Sequence, residues 1–367
     1  MGSIWGQTLK ISLFGESHGR GIGVVLDNLP PGEPLDEAAI RGQLDRRRPG
    51  REIWSTPRSE FDVPEILSGF WQGRTTGTPL AAIIRNKDTR SEDYRNLETI
   101  PRPGHADLTG LMRYDGAGDP RGGGHFSGRI TAPLTFAGAV CAQILARRGV
   151  AICAHIAEIA GIPDRQPDPA APDLPALQKV RDKLFPVLDD AAGEAMKAAI
   201  EAARMDTDSV GGVIQVIVTG FPAGIGDPMF GGLEPQLASI LMAIPAVKGV
   251  EFGDGFAAAR RRGSQNNDSP AFVDQDGQKQ IRLRTNHGGG ADGGISNGMP
   301  LCIRIAVKPT ASIGREQDSI DLTREENTRL VVRGRHDPCI VPRALPVAES
   351  AVAVCLLDRY LTSGHFK

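Results

Sequence analysis

The sequence predicts an α+β fold in which two sheets share a covering layer of long helices. Three observations carry that expectation. The segment "GVVLDNLPPG" (23–32) is matched by "QVIVTGFPAG" (215–224), each an apolar strand ending in a Pro-x-Gly turn. "GTPLAAIIRNKDT" (77–89) is matched by "GMPLCIRIAVKPT" (298–310), with Gly, Pro, Leu, Ile, Lys and Thr in the same order. Between the paired segments each half carries a helical stretch, 35–47 and 234–244. Order and spacing agree as well as composition. The chain, 1–367, therefore reads as a single domain of two pseudo-symmetric halves, about 10–150 and 205–345.

The covering layer is visible in the same way. "APLTFAGAVCAQILARRG" (132–149) has helical apolar spacing, a Pro near its start and a Gly stop. Residues 177–205 are helical but interrupted at Pro186, and 346–362 form a final helix apolar around much of its circumference. "AGIPDRQPDPAAPDLP" (160–175) is rich in Pro and Asp and reads as a surface connection. The repeat crosses it, so it is not a domain linker.

Composition narrows the function. A chain of 367 residues buries enough surface to need no disulfide or metal staple. The formal charge of -2 and pI of about 6.4 give no global basic field, so nucleic acid is not an expected partner. Cys141, Cys153, Cys302, Cys339 and Cys355 are odd in number, scattered, and contain no C-x-x-C pair. That argues against a disulfide framework or zinc site, for no metal, and for a reducing compartment. The N-terminal residues lack a basic region followed by an apolar one, and no apolar run reaches the roughly 20 residues of a membrane span. The expectation is a soluble, cytoplasmic protein without a membrane partner.

The unusual residues gather in loops. "FGESHGRGIG" (14–23) places Ser17 and His18 in a Gly-bracketed turn, and "RRRPGR" (46–51) closes a helix with four arginines. "RPGHAD" (102–107) sets His105 and Asp107 beside Arg102, and "PRGGGHFSGR" (120–129) supplies bare amides between Arg121 and Arg129. "NHGGGADGG" (286–294), "KPTAS" (308–312) and "GRHDPCIVPR" (334–343) continue the style. Arginine forks neutralise phosphates and carboxylates, glycine lets backbone amides approach an anion, and histidine moves protons near neutrality. Such an inventory suits an enzyme for a small, multiply anionic substrate. His155 and His365 lack such company and read as structural. Walker, Rossmann, zincin and nucleophile-elbow patterns are absent.

Taken together, "FGESHGRGIG", "DRRRPG", "RPGHAD", "RGGG", "AVKGVEFGDGF", "RGSQNND", "GGISNG", "KPTAS" and "GRHDPC" resemble the signatures of the chorismate synthase family, in the family's order, from residue 14 to about 350. The resemblance implies a β-α-β sandwich, with antiparallel sheets enclosing long helices, and a homotetramer. It implies anti-1,4 elimination of phosphate from 5-enolpyruvylshikimate 3-phosphate to give chorismate, with reduced FMN and no net redox change. By the same resemblance His18 would protonate the departing phosphate and His105 would protonate the flavin. Asp337 would sit near flavin N5 and assist proton removal from substrate C6, with Ser17 and Ser127 as relay groups. His125, Phe126, Ser127, Pro245, Ala246, Gly293, Lys308, Pro309, Thr310, Ala311, Ser312 and Arg335 would hold FMN. Arg47, Arg48 and Arg129 would meet the substrate or NADP.

Two departures stand out. The commoner flavin loop reads R-S-S-A-R-E-T after its glycines, where this chain has "HFSGRIT" (125–131), and Ile53 replaces an Arg after the "RRPG" turn. The residues leave open whether the chain reduces its own flavin with NADPH or depends on an external flavin reductase. An FMN-dependent oxidoreductase on the same scaffold and a non-catalytic flavin-binding paralogue are the competing readings.

Overall fold

A computed structural model describes residues 2–50, 52, 55, 61–86, 99–275, 277–332 and 337–366. The first sheet comprises β1 (Ile4–Trp5), β2 (Lys10–Gly15), β3 (Gly21–Asp27), β4 (Pro64–Ser68) and β7 (Leu80–Arg85). Helix α1 (Glu37–Arg47) follows β3, and the small hairpin β5 (Phe70–Trp71) and β6 (Arg74–Thr75) precedes β7. Next come α2 (Asp107–Tyr114) and the long α3 (Thr131–Ala146). The second sheet comprises β8 (Ala151–Ile159), β9 (Ile162–Pro163), β10 (Gly212–Thr219), β11 (Val247–Phe252) and β16 (Leu301–Val307). Between its strands lie α4 (Leu174–Arg181), α5 (Asp190–Met205), α6 (Leu233–Met242) and α7 (Gly263–Asn266). Two hairpins also fall there, β12 (Pro270–Gln275) with β13 (Gln278–Leu283), and β14 (Ala291–Asp292) with β15 (Ile295–Ser296). The hairpin of β17 (Glu316–Asp321) and β18 (Glu326–Val331) leads to α8 (Val341–Thr362).

Both sheets are antiparallel and share one strand pattern. The first runs β1-β2-β3-β7-β4 and the second β11-β16-β10-β8-β9, so β2-β3-β7-β4 and β8-β10-β16-β11 take the same order. In register, Val24 faces Ala82 in one sheet and Val216 faces Ile303 in the other. Strand β8 lies at 151–159, ahead of the stretch where the sequence comparison starts its second half.

The helices lie between the sheets. Helix α3 packs on β3 and β7, α8 packs on β8 and β10, and the two helices pack on each other. Helix α3 is apolar nearly all round because it has no solvent face; its residues from Thr131 to Cys141 are all buried. It is the one helical stretch among the described residues (Gly128–Ala146) long and apolar enough to cross a membrane, and it sits in the core. Close approach to α8 depends on Gly138, where a Cβ would lie 2.2 Å from Ser350 Cα. Helix α8 starts at Val341, earlier than the 346 read from sequence. Pro342 sits in its first turn, and Pro346 forgoes only one bond, to the carbonyl of Pro342.

The helix expected over 177–205 is two helices. Asp173 caps α4 through Ala176 N at 3.0 Å and Asp189 caps α5 through Ala191 N at 2.9 Å, with Pro186 in the connection. Helix α4 covers the outer face of the second sheet, where Leu177 packs on Cys153 and Ile217. On that face His155 is fully buried, 3.0 Å from Asp164 Oδ2 through Nδ1 and 2.9 Å from Gln215 Oε1 through Nε2. The outer face of the first sheet differs: Ile4, Phe14 and Leu67 remain exposed on it.

Candidate active site

Residues 121–124 turn through three consecutive glycines of positive φ, Gly122 (60°), Gly123 (84°) and Gly124 (53°). A Cβ at Gly122 would lie 2.1 Å from His18 Cε1, and one at Gly123 would lie 2.8 Å from His105 Cε1. His18 thus packs against the loop at Gly122 and His105 at Gly123, and neither position has room for a side chain.

Each histidine has its own support. Ser17 Oγ lies 3.0 Å from His18 Nδ1, 3.1 Å from the Gly122 carbonyl and 3.2 Å from the Arg121 carbonyl. The hydroxyl donates to the carbonyls, so it accepts from Nδ1–H, and in the neutral ring the lone pair falls on Nε2. His105 Nδ1 lies 2.5 Å from Asp107 Oδ1. Arg102 donates to Asp107 from its backbone N, Nε and Nη2 at 3.0, 2.7 and 2.8 Å, and from Nη1 to Ser312 Oγ at 3.0 Å. Burial alone would raise the Asp107 pKa, but Arg102 and His105 outweigh it and hold the carboxyl well below the usual range.

The loop after β16 closes against this turn. Lys308 Nζ donates to the Gly104 carbonyl, and Lys308 N donates to the Ala246 carbonyl at 3.0 Å. Pro245 and Ala246 are thereby placed beside residues 308–312, Pro309 rests near Gly211, and Ala311 faces Gly104. Thr310 Oγ1 is buried and has no hydrogen-bond partner among the described residues.

Arginines collect beyond His18. Asn86 Nδ2 donates to the carbonyls of Glu16 and Gly19 at 3.0 and 2.9 Å, and its Oδ1 accepts from Arg129 Nε at 3.2 Å. Arg47 and Arg129 both pair with Asp62. Arg343 donates to Asp337 and, at 3.2 Å, to the carbonyl of Arg47. From the His18 loop to Asp337 the polar groups are thus linked one to the next through Asn86, Arg129, Asp62, Arg47 and Arg343.

Other predicted residues take different places. Ser127 Oγ accepts from Arg129 N at 3.3 Å and caps the turn at 128–130. His125 has both ring nitrogens engaged: Nδ1 donates to the Gly15 carbonyl at 2.8 Å and Nε2 lies 3.0 Å from Ser3 Oγ. It ties the glycine loop to β2. Phe126 covers Gly110, near the Tyr114 ring, in a groove of about 260 Å³ lined also by Pro101, Asp107, Pro120 and Leu322. Arg48 turns away from the cluster, pairing with Asp45 at 3.2 Å and lying over the Phe61 ring. Gly293 sits in the β14–β15 turn, at the opposite end of β16 from Lys308 and so roughly 20 Å along the strand. Arg335 lies outside the described residues.

Sequence reasoning passed over Asp62 and Asn86 altogether. Asn86 carried a faint signal, a polar residue directly after an apolar strand, whereas Asp62 carried none. Arg102, Asp107 and Arg343 were visible in motifs but were given no role. The assembly can bind a small polyanion and hold protons at two rings that meet one loop.

Comparisons with known proteins agree on one family. The family model described as chorismate synthase matches residues 9–361. A chorismate synthase of Methanosarcina mazei is 46% identical over 363 residues, covering 99% of this chain and 97% of that protein. One from Dehalococcoides mccartyi is 44% identical over 364 residues, covering 99% and 98%. Among solved structures, one titled "Crystal Structure of Chorismate Synthase" matches with a TM-score of 0.77 and 30% identity, over 98% of this chain and 93% of that one.

Proposed function

The chain belongs to the chorismate synthase family, and from that premise we propose how its own residues divide the work. It is a carbon–oxygen lyase of the shikimate pathway, eliminating phosphate from 5-enolpyruvylshikimate 3-phosphate to give chorismate, with reduced FMN as the family's cofactor.

The residues present suit the flavin. The buried, unpartnered Thr310 Oγ1 is a polar atom in want of a ligand, and the loop of bare glycines is a surface that only backbone could form. Lys308 to Ser312, with Pro245 and Ala246, would hold the cofactor, and Phe126 would offer its half-exposed ring. When bound, the reduced flavin supplies electron density that stabilises positive charge developing as the C–O bond breaks.

The substrate loses phosphate with the C–O electron pair, loses a proton from C6, and gains a second ring double bond. His18, as the imidazolium, delivers its Nε2 proton to the departing phosphate and is left as the Nδ1–H tautomer, which Ser17 fixes. His105, held at Nδ1 by Asp107 and Arg102, directs its other nitrogen toward Gly123, where it would meet the flavin. Asp337, held by Arg343, assists removal of the C6 proton. Arg129 meets an anionic group of the substrate, and Ser127 shapes the turn that presents it.

The observation that carries this reading is that two histidines pack against successive glycines, Gly122 and Gly123, of one side-chain-free loop. The test is anaerobic release of phosphate and chorismate with chemically reduced FMN. His18→Ala and Asp337→Ala should each lose at least about a hundredfold in turnover, and full turnover in either variant would remove that residue from the mechanism. NADPH consumed in proportion to product would instead favour the oxidoreductase reading; with no such consumption, NADPH or an external reductase serves only to reduce the flavin. The exposed apolar face bearing Ile4, Phe14 and Leu67 supports self-association as a homotetramer. The buried free cysteines support a reducing, cytoplasmic setting.

A further inference from the structure

Asp62 stands just ahead of β4, outside every motif named above, and its side chain is only 1% exposed. Its Oδ2 accepts from Arg47 Nη1 at 2.5 Å and its Oδ1 accepts from Arg129 Nη1. The two arginines are not equivalent. Arg47 also donates from Nε to Thr131 Oγ1 at 2.9 Å and from Nη2 to the Gly128 carbonyl at 3.2 Å. With all three nitrogens engaged and its side chain 4% exposed, Arg47 is a buried post. Arg129 instead reaches through Asn86 to the loop that carries His18.

We propose that Asp62 is a positioning residue for substrate binding: anchored on the buried Arg47, it holds Arg129 in place to meet an anionic group of the substrate. The inference rests on the reading of Arg129 given above. Two guanidinium groups this close repel in a poorly solvated site unless a carboxylate lies between them. Burial brings the Arg47 pKa down to about 10, with Asp62 pulling it up and Arg343 and Arg129 pushing it down. Burial works against the Asp62 anion too, but Arg47 and Arg129 hold its pKa below the ordinary value. Asp62 thus lies between Arg47 and Arg129, and Arg343, which donates to the Arg47 carbonyl, pairs with Asp337.

An amide at 62 would keep one acceptor and turn an NH2 toward the other arginine. Arg47, tied to Thr131 and Gly128, would stay; Arg129 would turn away. The experiment uses the FMN-loaded enzyme and compares Asp62→Asn, Arg129→Gln and the double variant, measuring kcat, KM for 5-enolpyruvylshikimate 3-phosphate, and FMN affinity. Asp62→Asn should raise KM about tenfold with kcat changed less than about threefold, and should add almost nothing in the Arg129→Gln background. FMN affinity should stay within about twofold of the wild type. If Arg129→Gln raises KM but Asp62→Asn does not, or if the two effects multiply, the role of Asp62 is overturned. An equal loss of FMN affinity, which general loosening of the site would cause, also overturns it. If Arg129→Gln leaves KM unchanged, the reading of Arg129 falls instead. Should Asp62→Asn fail to fold, Asp62→Glu keeps the charge but displaces it by a methylene: a raised KM at native thermal stability supports the proposal, and an unchanged KM overturns it.

Discussion

His105 Nδ1 lies 2.5 Å from Asp107 Oδ1, and the same oxygen accepts from Arg102 Nη2 at 2.8 Å. Asp107 and Arg102, whose Nη2 also lies 3.1 Å from His105 Nδ1, together set the rotation of the imidazole. Asp107→Asn would offer His105 an amide that can donate as well as accept. Turnover with pre-reduced FMN is expected to fall by about a hundredfold. A normal rate would show that the orientation of His105 does not matter.

Asp107 also links stability to pH. Its folded pKa lies below the ordinary 3.8, so as pH falls the unfolded chain takes up this proton first. The stabilisation is complete above 3.8 and is lost progressively below it. Asp62 and Asp164, likewise depressed, act in the same direction. Thermal melts across the acid range should show the midpoint dropping below that value, and Asp107→Asn should flatten the drop. An unchanged acid limb in the variant would contradict the assignment.

The glycines of the central loop should separate into two kinds. At Gly122 a methyl group meets the His18 ring, whereas at Gly124 (φ 53°, ψ -127°) it meets the Asp119 carbonyl at 2.2 Å. Gly122→Ala is expected to cut kcat by at least about a hundredfold by displacing His18. Gly124→Ala should instead destabilise the fold by about 1–3 kcal/mol. Melting curves and turnover measured on both variants would reveal whether the two effects divide in this way.

Thr310→Val keeps the shape of the side chain and removes its orphaned hydroxyl. FMN affinity should weaken about tenfold, as loss of one hydrogen bond to a charged group would cause, while the melting temperature without flavin stays the same or rises. Fluorescence titration of FMN reads this directly, and unchanged affinity would place the flavin elsewhere.

His155 supplies the contrasting case. Asp164 accepts from His155, from Leu188 N at 2.7 Å and from Asp189 N at 2.9 Å, pinning the α4–α5 connection to the second sheet. Asp164→Ala should lose about 2–3 kcal/mol of stability, measured by denaturant unfolding, with KM and kcat near normal at low temperature. A kinetic defect without loss of stability would contradict the structural role.

Much of this architecture could be read from the chain because single faces alternate. The pattern of β7, with Leu80, Ala82 and Ile84 inward, is that of a half-buried strand. Strand β8 escaped notice because α4 and α8 cover both its faces, so its apolar run has no period. The start of α8 was hidden by prolines that ordinarily signal a helix boundary. At the site, His18, His105 and the glycines were legible from the company they keep in sequence. Asp62 was not, since the two arginines that define it lie 15 and 67 residues away along the chain. His125, expected beside the flavin, has its ring nitrogens on Gly15 and Ser3; nothing in "GGGHFSG" announces a bond to a strand 110 residues earlier.

The glycine loop works as a fixed gauge. Its bare backbone seats the His18 ring at Gly122 and the His105 ring at Gly123, and neither glycine carries a side chain whose rotation could adjust the fit. The two histidines are therefore coupled through it: a shift of the loop moves the seat of both rings. Adjustment of the site has room only beyond the gauge, at His125 and Phe126, where side chains resume and where this chain departs from the commoner loop.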